Sequence, residues 1–278
     1  MRRTIHGSLA AATLLSLTSP ALALAEASAP PPASSPVRTM TQLVLPPPKD
    51  GRARPLVVVV ADNAGAETTD FVVPYGVLKE SGLADVRSLS THPGPARLFL
   101  TLAIQADQTL AEFDHAEPAG ADIVIVPAQV HPKDPALVAW LRSQAERGAT
   151  IVSICEGARV LAATGLLDGR RAATHWHALR DLEKQYPNTT WVRDRRYVQD
   201  GPIISTTGVS ASIPVSLALI EAMGGRAAAA ETAERLGAPG WGAEHRTADY
   251  SLSPPDYAGA LLAMAAFWRR DTLQAPIA

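Results

Sequence analysis

Three observations in the sequence predict an α/β protein, a doubly wound parallel sheet sandwich of the flavodoxin-like kind with a nucleophile elbow. The runs Leu56–Ala61 (LVVVVA) and Ile123–Val126 (IVIV) are continuous and β-branched, as in parallel strands covered on both faces. Segments with helical spacing of apolar residues separate them from one another and from later strand-like runs. A third run, 150–154 (TIVSI), ends directly on the single cysteine, Cys155, and a helical pattern follows at once.

In order, the first strand is followed by a helix over 70–82, where Phe71, Val72, Tyr75 and Leu78 share a face and Gly82 closes it. The IVIV strand precedes a helix over 135–147 that carries Leu137, Val138 and Leu141 and stops at Gly148. Beyond the elbow, helical patterns lie at 158–164 and 177–185, and 202–206 is strand-like. A strongly apolar helix over 213–223 precedes Gly224 and Gly225, and helix-like segments at 226–236 and 256–269 finish the chain. Nothing marks a repeat or a second domain, so one domain over 55–272 with a short tail, 273–278, is expected.

Ahead of it, Arg2 and Arg3, an apolar stretch over 9–17 and Ala23-Leu24-Ala25 read as a signal peptide ending at Ala25. The stretch is shorter than the roughly 20 residues a membrane span needs, and no later segment reads as a span. A periplasmic or secreted location is therefore expected, with no integral span after cleavage. Residues 30–55 contain eight prolines, and 26–54 reads as an extended linker.

Composition narrows the function classes. Across 278 residues, 25 basic and 27 acidic side chains leave a formal charge of −2, with no Lys/Arg field to grip a phosphate backbone. Aromatic residues are only 5%, too few for a base-stacking platform. No nucleic-acid partner is expected. A lone cysteine excludes an internal disulfide framework. His92, His115, His131 and His245 have no carboxylate or cysteine at ligand spacing, so no metal site is expected. The Gly65 loop follows a strand but lacks a phosphate-binding glycine pattern, so no nucleotide cofactor is expected, and no other.

The informative segment is the turn at Cys155-Glu156-Gly157. A strand leading into a sharp turn and a helix pushes the middle side chain out at the carboxyl edge of the sheet, where open α/β folds bind ligands. Gly157 permits close backbone approach, and free N–H groups at the helix start favour a thiolate and can hold a developing oxyanion. Read in this way, the thiol has a lowered pKa. The alternative is a buried cysteine that behaves as a small apolar residue.

Three stretches make the chain resemble the ThiJ/PfpI superfamily, with the class I glutamine-amidotransferase-like fold. They are GAETTDFVVPYGVL (65–78), SICEG (153–157) and ATHW (173–176). The stretches AATGLLDG (162–169) and TTGVSAS (206–212) are similar to isonitrile-hydratase-like members and to the amidase-like domain of AraC-type regulators. The resemblance implies that Cys155 is the reactive cysteine, Asp70 the acid that reaches toward its sulfur, and His175 the histidine downstream of the elbow. Glu156 stands where some members carry histidine, so their Cys-His dyad does not carry over. Glu67 and Gly65 are possible pocket residues beside Asp70. Two adjacent negative charges are unfavourable, so Asp70 should have a raised pKa; its place also suits a helix N-cap. His175 can equally satisfy a backbone carbonyl.

The resemblance implies an exported cysteine-dependent hydrolase or hydratase/lyase acting on a small-molecule electrophile: nitrile-like, amide or α-oxoaldehyde. The alternative is a ligand-binding or redox-sensing module that uses Cys155 oxidation. A regulator-derived domain is the third reading, but no basic recognition helix follows Gly225. The superfamily also implies a possible homodimer.

Overall fold

The computed structural model describes residues 42–99, 102–238 and 240–244. In chain order the elements are β1 (Leu56–Ala61), α1 (Thr68–Glu80), β2 (Asp85–Ser90), β3 (Ala96–Leu98), β4 (Leu102–Ile104), β5 (Gln108–Thr109), α2 (Leu110–Ala116), β6 (Ile123–Val126), α3 (Pro135–Glu146), β7 (Thr150–Ser153), α4 (Gly157–Thr164), β8 (Arg171–Ala172), α5 (Trp176–Gln185), β9 (Thr190–Trp191), β10 (Tyr197–Asp200), β11 (Ile203–Thr206) and α6 (Ser212–Arg235). The expected signal peptide, the start of the linker, the 256–269 helix, His245 and the tail lie outside the described residues.

A seven-stranded sheet in the order β10-β11-β7-β6-β1-β2-β5 organises them. Every pairing is parallel except that of β10 with β11. Because side chains alternate along a strand, each β-branched run feeds two cores. Val57, Val59, Ala61, Ile123, Ile125 and Val152 face α1 and α6, where Phe71, Leu78, Val215 and Leu219 meet them. Leu56, Val58, Val60, Val124, Val126 and Ile151 face Phe113, Leu137, Leu141 and Leu161 from α2, α3 and α4. Burial on both sides is what makes these strands apolar without alternation.

The expected elements are present, with ends shifted by a residue or two. Several others carried no clear signal. Strand β2 (DVRSLS) mixes charge with apolar residues, yet Val86 and Leu89 are buried. The β3–β4 hairpin and the two-residue strands β5, β8 and β9 are too short to show a period. Helix α2 is held by a capping box between Thr109 and Glu112.

The folded unit starts ahead of Arg54. Leu43 is buried in the α1–α6 core, and the amide of Gln199 grips Val44, Oε1 accepting its N–H at 2.9 Å and Nε2 donating to its carbonyl at 2.7 Å. Lys49 and Leu56 donate their backbone N–H groups to Asp122 at 2.8 and 2.7 Å. The proline-rich stretch is thus docked along 42–55. Residues 209–235 are, by length and composition alone, long and apolar enough to cross a membrane, a test that a buried core helix also passes. Here Val215 to Ile220 are buried against the sheet, and the helical path breaks at Gly225 (φ 84°).

The chain runs from β1 outward through β2 to β5, then returns on the other side of β1 with β6 and β7. The strand order therefore reverses between β1 and β6. In doubly wound sheets the carboxyl ends at such a point form a crevice. The segment after β1 and the segment after β7 flank it on either side of β6.

Candidate functional site

Cys155 stands at the carboxyl end of β7, between Ser153 and the first turn of α4. Its φ is 56°, and Cys155 and Asp194 are the described non-glycine residues with positive φ. An L-residue in this left-handed region is strained, which is the backbone signature of an elbow. Two contacts hold it: Gly157 donates its N–H to Ile154 O at 2.8 Å, and Cys155 donates its own N–H to Thr206 Oγ1 at 3.3 Å. The turn also needs a glycine at 157, because a Cβ there would lie 2.1 Å from the carbonyl oxygen of Val126.

The N–H of Gly157 is thus committed to Ile154 and is not one of the free donors expected at the helix start. The backbone N–H of Glu156 instead favours the Cys155 thiolate. The expectation of a lowered thiol pKa is also corrected. Burial pushes the Cys155 thiol well above its ordinary value, the carboxyls of Asp70, Glu156 and Glu67 add to this, and the Glu156 N–H offsets only part. Cys155 is 7% exposed, so desolvation outweighs the helix start.

Asp70 reaches the same place from α1 and is fully buried. Its Oδ2 accepts the Ala128 N–H at 3.3 Å, just beyond β6, while Oδ1 has no hydrogen-bond partner among the described residues. Burial and the charge of Glu67 hold its carboxyl well above the usual range, and the Ala128 N–H opposes them. The Cys155 thiol and this carboxyl each perturb the other's proton affinity, so the two form one coupled pair.

Asp70 is not a helix cap. That position belongs to Glu67, whose Oε2 accepts the Asp70 N–H at 2.6 Å and the Thr69 hydroxyl at 2.7 Å. The cap lies one turn earlier than the sequence suggested, and it leaves the Asp70 side chain turned inward. Gly65 shapes the approach to α1: it donates to Asp62 O at 3.0 Å and accepts from Val130 at 2.8 Å.

His175 caps α5, its Nδ1 accepting the His177 N–H at 3.3 Å, and its ring lies 4.9 Å from that of Trp176. Among the described residues no hydrogen bond joins it to the Cys155 sulfur. The connection runs through Thr174, whose hydroxyl donates to Cys155 O at 3.3 Å. Burial lowers the His175 pKa, against the pull of Glu156's charge, so the ring is neutral near pH 7.

Glu156 does not sit loose at the mouth. Its Oε2 accepts from Arg159 Nε at 2.6 Å, and its Oε1 lies 3.2 Å from His177 Nδ1. Burial raises its pKa, but the bonds from Arg159 and His177 outweigh this and leave the carboxylate below its ordinary value. His177 was missed as a site residue because nothing in its local sequence marks it. His131 has a carboxylate partner after all: Asp62 Oδ2 lies 3.0 Å from its Nδ1, brought there by the fold.

A parallel sheet, a strained elbow cysteine and a buried acid from the first helix define the class I glutamine-amidotransferase-like architecture. Residues 56–222 match the model of the DJ-1/PfpI family, and the chain belongs to that family. It is 35% identical over 151 residues to the HTH-type transcriptional regulator CdhR of Pseudomonas aeruginosa, covering 53% of this chain and 43% of that one. It is 37% identical over 110 residues to an isonitrile hydratase of Pseudomonas putida, covering 37% and 46%. The chain thus spans less than half the length of these two relatives. Against the Parkinson disease protein 7 homolog of Danio rerio it is 28% identical over 181 residues, covering 63% and 91%. Among solved structures, a DJ-1 superfamily protein of Salmonella typhimurium superposes with a TM-score of 0.59 at 28% identity, covering 66% and 99%.

Proposed function

We propose that this protein is an exported, cysteine-dependent hydrolase or hydratase/lyase that acts on a small electrophile, with Cys155 as nucleophile and Asp70 as proton carrier. The reading rests on one observation: a strained elbow cysteine and a fully buried carboxyl perturb each other's proton affinity, and Asp70 Oδ1 has no hydrogen-bond partner among the described residues.

With a nitrile-like substrate, the protonated Asp70 carboxyl gives its proton to nitrogen as the sulfur bonds to the carbon and the carbon–nitrogen π bond breaks, and it takes up the Cys155 proton in exchange. Water then adds to that carbon and the thiol leaves, so the net change is hydration, with no redox partner. The Glu156 N–H stabilises the thiolate on the way. The likeness to an isonitrile hydratase supports this class of substrate, and amides and α-oxoaldehydes present the same electrophilic carbon. His175, held as a helix cap, orders the wall beside the elbow through Thr174. Export is supported by the basic start and short apolar stretch before Ala25.

The test is turnover of a panel of isonitriles, nitriles, primary amides and α-oxoaldehydes by the wild type and by Cys155→Ala. Activity on one class, abolished in the variant, supports the reading. Full activity in the variant refutes it. No turnover, together with stoichiometric peroxide oxidation confined to Cys155 by mass spectrometry, replaces it with the redox-sensing module. Mass analysis of the protein from expressing cells tests export, with a mature form starting at Glu26 as the expected result.

A further inference from the structure

We propose that Glu156, His175 and His177 form a binding site for one divalent transition-metal ion of the zinc type, at the mouth of the elbow and independent of the Cys155 thiol.

The three side chains come from two separate turns. Glu156 precedes α4, while His175 and His177 begin α5, and the fold brings one ligand atom of each within 4.8 Å of the others. All three are half-buried, shielded from bulk solvent yet reachable. Two imidazoles and a carboxylate suit zinc, copper or nickel and suit calcium or magnesium poorly. Metal–ligand bonds of about 2.0–2.2 Å imply about 3.4 Å between ligand atoms in a tetrahedral site. Glu156 Oε1 and His177 Nδ1, at 3.2 Å, already stand at that spacing. A modest rotation of the His175 ring closes the third side, at the expense of its long 3.3 Å cap contact.

The surroundings support a cation despite the nearby guanidinium. Arg159 occupies Glu156 Oε2 and leaves Oε1 for the metal, as an outer partner that orients a ligating carboxylate does. Its own charge is met by Asp181 at 2.6 Å. Three protein ligands leave a fourth position open to water or to a ligand in the crevice. Sequence spacing supported no metal site, because Glu156 and the histidines meet only in the folded chain.

Equilibrium dialysis of the full chain, free of any affinity tag, against ZnCl2 tests this. The expected result is one Zn2+ per chain in the wild type and in Cys155→Ser, with affinity in His177→Ala and in Glu156→Gln reduced by at least the roughly 10- to 100-fold that loss of an outer partner of a ligand costs. Circular dichroism checks that the variants fold. In the wild type, Co2+ should give a visible spectrum of nitrogen–oxygen ligation without a thiolate charge-transfer band, a readout that does not depend on any variant folding. No uptake, equal uptake by folded His177→Ala, or loss in Cys155→Ser with a thiolate band in the Co2+ spectrum overturns the proposal. None of these readouts involves turnover, so failure here leaves the proposed enzymatic activity standing, and the reverse also holds.

Discussion

Gly157 passes so close to Val126 that any side chain at 157 would have to occupy the space of a carbonyl oxygen 2.1 Å from its Cβ. This contact presses the elbow onto the central strand β6 and sets the height at which Cys155 emerges. Backbone on both sides leaves nothing flexible to yield. Gly157→Ala is therefore expected to lose at least about 3 kcal/mol of stability, the upper part of the range for overpacking, or to fail to fold. Chemical denaturation measures it, and a loss below about 1 kcal/mol would show that the turn relaxes.

At 155 the usual order of alanine and glycine should be inverted. The φ of 56° costs an L-residue roughly 1–2 kcal/mol and glycine almost nothing. Cys155→Gly is expected to be the more stable of the two by about 1 kcal/mol. Thermal unfolding of the two variants decides it, since neither retains the sulfur.

Burial raises the Asp70 pKa in the folded state, so the fold prefers the protonated carboxyl. Such a group contributes stability that is fully present below its unfolded pKa and lost as pH rises through the folded one. Asp70→Asn mimics the protonated form at every pH. Its melting temperature relative to wild type is expected to improve as pH rises above the ordinary carboxylate pKa of about 4. A constant difference across that rise would mean that Asp70 carries no raised pKa.

Asp122 anchors the proline-rich stretch by accepting the N–H groups of Lys49 and Leu56 and pairing with Arg52 at 3.1 Å. Asp122→Ala leaves these donors unsatisfied, at about 2–3 kcal/mol. The expected outcome is faster proteolytic cleavage between residues 42 and 54 while the sheet stays folded. Limited proteolysis followed by mass spectrometry reads this directly.

The strands that build the site were legible because they are buried on both faces: LVVVVA and IVIV carry no polar residue, TIVSI only the small, buried Thr150 and Ser153, and they became β1, β6 and β7. The elbow was legible because cysteine, strand end and glycine fall together in sequence. Strand β2 was not, since its charged and hydroxyl side chains hide a buried half. The exchange of roles between Glu67 and Asp70 was hidden too. Either residue can cap a helix, and only the fold decides which one turns inward. The low thiol pKa expected from the helix start failed for a related reason: sequence shows the dipole but not the depth of burial or the three carboxyls around the sulfur. His177 illustrates the limit, because its partner Glu156 lies in another turn and only the sheet's connectivity unites them.

The acid on the helix after β1 and the thiol after β7 lie on opposite sides of β6, and Val126 at that strand's end and Ala128 just beyond it position them. A chain in which any one of the three strands has yet to join possesses an ordinary, unassisted cysteine. The pairing of thiol and acid is thus an outcome of final assembly.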